Sequence, residues 1–183
     1  MLTADELIKE LSVTMVKSRV VKLSTMLQKQ HFSLRDLTDI TFNQDKNIAF
    51  RAAWILENLF LEKPDSYLHD LNYLVSRVKD VTNPSCKRHY AKIVMHITSP
   101  KAPVSIQQKL AGTDLEPVVE QLFDWMIDPK VLIAVKVFAA EALFNMRNRF
   151  SWISDELANQ IRFLMRDGTA AIQSRGRKLL AEL

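Results

Sequence analysis

Three groups of side chains in this chain have the types and spacing to do chemistry. Cys86, His89 and His96 lie three and seven residues apart, so they share a helix face and offer a thiol and two imidazoles. A metal would need a further carboxylate or histidine from elsewhere, and none stands at a fitting spacing. Cys86 is the only cysteine, which excludes an internal disulfide and a cysteine-based zinc cage. The expectation is no metal and no cofactor, with Cys86 a small buried thiol at a position where other units carry Ala49 and Ala134.

The second group is the basic-aromatic run Arg147-Asn148-Arg149-Phe150-Ser151-Trp152, which could meet an anion or staple the start of a helix. The third is a recurring pair, an acidic or amide residue followed eight positions later by a base. Asn43 precedes Arg51, Asp80 precedes Arg88, Asp128 precedes Lys136 and Asp167 precedes Arg175.

These groups must be positioned by helices. Three glycines and six prolines punctuate 183 residues, and the β-branched residues form no alternating runs. The fold class expected is all-α. Thr3-Ala4-Asp5-Glu6 and Thr113-Asp114-Leu115-Glu116 read as capping boxes, Ser33 and Ser154 as caps, and Pro64 and Pro84 as first helical residues. A single continuous helix is expected from Pro64, with Leu68, Leu71, Leu74, Val75 and Val78 inside. Six positions before the four turn residues stand Leu37, Leu74, Leu122 and Ile161, an aliphatic column; eleven after stand Trp54, Ala91, Ala139 and Lys178, which marks Trp54 as core. Successive turn residues are 37, 48 and 39 apart, and the long middle interval holds an insertion at 98–112, where Ser105 to Leu110 suits a short helix.

Paired helices phased near forty residues resemble the HEAT-like members of the armadillo-type superhelix. The resemblance implies one domain over 1–183, a right-handed α-α superhelix of about five antiparallel helix pairs. Residues 1–32 would be N-terminal capping helices and 33–183 four repeats. It also implies a ladder in which turn carboxylates tie to bases of the second helices, through Asp80 with Arg88, Asp128 with Lys136 and Asp167 with Arg175. Asn43 with Arg51 departs from that pattern by lacking the carboxylate.

Function is then expected in surfaces. The chain lacks a glycine-rich phosphate loop, a nucleophile elbow and a paired-histidine zinc motif, which points away from an enzyme. The expected role is a non-catalytic scaffold binding a protein or peptide. The alternative is a nucleic-acid-binding module similar to the HEAT-like alkylpurine DNA glycosylases, because bases gather on second helices, which line the concave face in such stacks. Bases outside the ladder form the candidate surface: Lys87, Lys92, Arg147, Arg149, Arg177 and Lys178. The net charge of +4 fits either a mixed surface or an anion-binding one. No apolar run is long enough for a membrane span, the first residues do not read as a secretory signal, and a lone thiol suits a reducing compartment, so the expected location is cytoplasmic.

Overall fold

The computed structural model describes residues 2–183; Met1 lies outside them. Eleven α-helices and two 3-10 turns form among the described residues, and no strand. The helices are α1 (Ala4–Ser12), α2 (Lys17–Lys29), α3 (Leu34–Ile40), α4 (Lys46–Glu62), α5 (Leu71–Ser76), α6 (Pro84–Ile97), α7 (Val104–Ala111), α8 (Glu116–Ile127), α9 (Ile133–Met146), α10 (Ile153–Met165) and α11 (Ala170–Leu180).

They stack in two layers. The second helices α2, α4, α6, α9 and α11 each pack on the next, and the first helices follow alongside, α1 on α3, α3 on α5 and α5 on α8. A helix pair cannot bury its apolar surface alone, so it is stable only when its neighbour covers it. The aliphatic column is that cover: Leu37, Leu74, Leu122 and Ile161 are all buried.

Local chemistry explains where the elements differ from expectation. Thr3 and Glu6 form the full capping box, and Ser33 accepts a hydrogen bond from the Asp36 amide. The box at Thr113 does not form: its hydroxyl donates to Lys109 O and Asn72 Oδ1, leaving Leu115 at the cap position and Asp114 to accept from Glu116 N. Ser154 falls inside α10, with Trp152 at its cap position. The helix expected from Pro64 is broken into a 3-10 turn (Pro64–Tyr67), α5 and a second 3-10 turn (Val78–Asp80). Polar side chains compete for the backbone there; Ser76 Oγ donates to Tyr73 O at the end of α5.

The insertion supplies α7, which buries Ile106 and Leu110 and packs on the 3-10 turn Pro64–Tyr67. Trp54 is half-buried, stacked on Phe50 with ring centroids 5.9 Å apart. At the α10–α11 turn a Cβ on Gly168 would lie 2.5 Å from the Leu164 carbonyl oxygen and 2.9 Å from Ile172 Cγ2. A backbone atom cannot swing aside, so Gly168→Ala should destabilise the protein by about 1–3 kcal/mol in chemical denaturation, against near neutrality for Gly112→Ala, whose Cβ would meet Lys109 O at 4.0 Å, an ordinary van der Waals contact.

Candidate interaction surface

None of the recurring bases pairs with the turn residue eight positions before it, and two of the four bind backbone carbonyls instead. Lys136 is buried and its Nζ donates to Met126 O at 2.9 Å, on the last turn of α8. Arg51 Nη1 donates to Leu11 O at 2.7 Å, on the last turn of α1. Asp80 pairs with Arg77 at 2.7 Å instead of Arg88, which is exposed. Arg175 pairs with Glu141 at 2.7 Å instead of Asp167. Asp128 and Asn43 fold onto the turn backbone, accepting from Lys130 N and Asp45 N, while Asp45 and Asn83 cap α4 and α6.

The physical reason is that a helix end leaves its last carbonyls unpaired and carries negative partial charge. A base in the second turn of a helix packed alongside, α9 on α8 or α4 on α1, reaches that end. The same demand is met without charge elsewhere: two residues before the turn, Met165 O accepts from Gln173 Nε2 as Met126 O does from Lys136. Burial pulls the Lys136 ammonium below its ordinary pKa, with Asp128 opposing the shift.

Sequence reasoning missed the most buried charge cluster. Glu57 on α4 and His89 on α6 are 8% and 6% exposed. Glu57 Oε2 lies 2.7 Å from His89 Nδ1, and Lys92 Nζ donates to Oε1 at 2.5 Å. An ionised carboxylate only accepts, so Nδ1 carries the hydrogen, and Nε2 is buried with no partner among the described residues. Burial pushes the Glu57 carboxyl up, but the hydrogen bonds and charges of His89 and Lys92 outweigh it and hold the carboxyl below its usual range. Phe50 lies against the imidazole, centroids 5.5 Å apart. No spacing rule links residues on separate helices; the available signal was a lone glutamate among the apolar residues of α4. Cys86 is buried as expected, and burial pushes its thiol up to about 12, so it stays protonated.

The six candidate bases meet different fates. Lys92 is tied to Glu57. Lys87 lies over the Trp125 ring, 5.9 Å from its centroid. Arg147 lies on the Phe144 ring and donates to Phe144 O at 2.8 Å. Arg149 donates to Leu110 O at 2.7 Å and to Thr113 O, bracing the end of α7. Arg177 and Lys178 on α11 are exposed.

Lys178 lines an open cleft of about 560 Å³, which the structure forms from Leu61, Met95, the 98–112 segment, Phe144 and the end of α11. A family model described as a HEAT repeat domain matches residues 7–183. The chain belongs to the HEAT repeat family. No curated protein and no solved structure matches it. HEAT repeats are typically non-catalytic scaffolds and commonly mediate protein interactions.

In this HEAT domain charge divides by layer. Among the second helices, α2 holds four bases and no acid, α6 three and none, α11 three and none. Among the first helices, α1 holds three acids and one base, and α8 three and none. The two carboxylates nearest the middle of the second layer, Glu57 and Glu141, are already paired, so that layer keeps a positive field. No described helix is long and apolar enough to cross a membrane.

Proposed function

We propose that this HEAT domain is a protein- or peptide-binding scaffold in the cytoplasm, with residues 1–32 capping four repeats. The observation that carries the reading is the 560 Å³ cleft, open to solvent and lined by Met95, Phe144, Asn145 and Pro103 together with Lys101, Lys178, Glu141 and Glu182. A cleft of that size accepts a few side chains of a partner, and its mixture of rings, amide and both charges suits a polypeptide. The nucleic-acid reading draws on the basic second helices. It is weakened because Arg51, Lys92, Lys136, Arg149 and Arg175 are each held by a carboxylate or a carbonyl of the chain itself. A phosphate-tracking surface depends on bases free to neutralise successive phosphates.

Crosslinking in the native cell, followed by nuclease treatment and mass spectrometry of the purified chain, tests this. A protein partner retained after nuclease is the expected result. Recovery of the chain alone, or only of nuclease-sensitive material, would overturn it.

A further inference from the structure

Resting on the scaffold reading, we propose that the cleft at the ends of α6, α9 and α11 receives an acidic segment of the partner carrying apolar anchors. Its carboxylates meet Lys101 and Lys178, and its apolar side chains enter between Leu61, Met95 and Phe144.

The floor of the cleft is apolar, formed by the half-buried Leu61, Met95 and Phe144. Lys101 and Lys178 stand exposed on its rim, and neither is engaged by a carboxylate among the described residues. Of the carboxylates in the lining, Glu141 is committed to Arg175 at 2.7 Å. Glu182 is exposed, one helical turn from Lys178, and is the one opposing charge. The fifth titratable lining group, His96, has its imidazole held below the ordinary value by burial and by Lys92, so it is neutral at pH 7.

The ends of α6 and α9 would themselves repel a carboxylate, since their last carbonyls carry negative partial charge. Those carbonyls are occupied. Asn145 Nδ2 donates to Met95 O, Thr98 Oγ1 to Val94 O and Arg147 Nη1 to Phe144 O. What remains is the positive field of the second-helix layer, with the acidic first-helix layer on the other side. That polarity steers a negatively charged segment to the cleft side of the stack.

An acidic segment is favoured over a nucleic-acid strand for two reasons. The free bases here are two, set across an apolar floor, where a strand would meet no run of cations. The floor itself offers aliphatic and phenyl surface suited to leucine or phenylalanine side chains, whose burial would contribute about 25 cal/mol per Å².

The test measures fluorescence anisotropy of a labelled peptide in which glutamates alternate with leucine and phenylalanine, titrated with the whole chain in low-salt buffer. Saturable binding is expected, weakened on the order of tenfold by the double reversal Lys101→Glu/Lys178→Glu. The control Lys9→Glu/Lys79→Glu, which changes net charge equally at exposed positions of α1 and of the 3-10 turn Val78–Asp80, should leave affinity within about twofold. Circular dichroism of both variants checks that helicity persists. Equal affinity for wild type and for the cleft variant would overturn the proposal. So would tighter binding of an oligothymidine than of the peptide, or equal binding of a polyglutamate lacking apolar residues. If these probes fail while a nuclease-resistant protein partner is still crosslinked by Lys101→Glu/Lys178→Glu, the cleft assignment falls and the scaffold reading stands.

Discussion

Glu57→Ala should cost about 3–5 kcal/mol of folding stability, because it removes one partner from a buried charged cluster and leaves the others without compensation. The two partners lose unequally. Lys92, whose side chain is 33% exposed, can turn to solvent; His89, at 7%, cannot, and its ring then has neither nitrogen satisfied. Lys92→Ala should therefore cost less than His89→Ala, and a double-mutant cycle of Glu57 with His89 should show the larger coupling. Glu57→Gln keeps the shape and removes the charge, although its single amide oxygen can accept from only one of the two neighbours, which bond separate carboxylate oxygens in the wild type. The pH dependence follows from the depressed carboxyl. A group whose folded pKa lies below its unfolded value stabilises the fold above the unfolded pKa, near 4.5 for this glutamate, and that stability is lost as pH falls through the folded pKa. Urea midpoints from pH 7 to 3 should thus fall more steeply for the wild type than for Glu57→Gln. Parallel curves would show that the cluster contributes nothing through charge.

The architecture was legible in the sequence because it rests on period and burial, which a linear chain displays. Leu37, Leu74, Leu122 and Ile161 repeat because each unit covers the same stripe of its neighbour, and all four are buried. The eight-residue spacing was equally visible, yet it did not name the partner. Spacing fixes which direction Lys136 and Arg51 point from their helices; it does not distinguish a turn carboxylate from the carbonyls at the end of a neighbouring helix, which lie close by and have a greater need of a donor. The capping residues illustrate the same limit: Thr113-x-x-Glu116 has the letters of a capping box, but the Thr113 hydroxyl is drawn to Lys109 O and Asn72. The candidate surface was only partly legible. Arg149 and Lys92 look free in the sequence because their partners, Leu110 O and Glu57, are 39 and 35 residues away.

Trp125→Ala is expected to be the costliest core truncation, about 3–5 kcal/mol. Trp125 heads the fully buried side chains by size, is 1% exposed, and sits on α8 directly after the insertion that stretches the repeat spacing. Across that interval the first-helix layer is thin: α8 meets α5 and the 3-10 turn Val78–Asp80, both short elements. The Trp125 indole fills this junction and reaches α6, where the Lys87 ammonium lies over its ring. Its loss opens a cavity that two short elements cannot collapse to fill, whereas Leu122→Ala, on the same helix, removes less volume and should cost about 2–5 kcal/mol. Because repeats in a stack are stabilised by their nearest neighbours, weakening one junction should also uncouple the two sides. Hydrogen exchange of Trp125→Ala should therefore show lost protection first in α8 and the elements packed on it, with α2 and α4 retaining theirs. A uniform loss from α2 to α11 would mean that the stack unfolds as one cooperative body and that the junction after the insertion is no weaker than the rest.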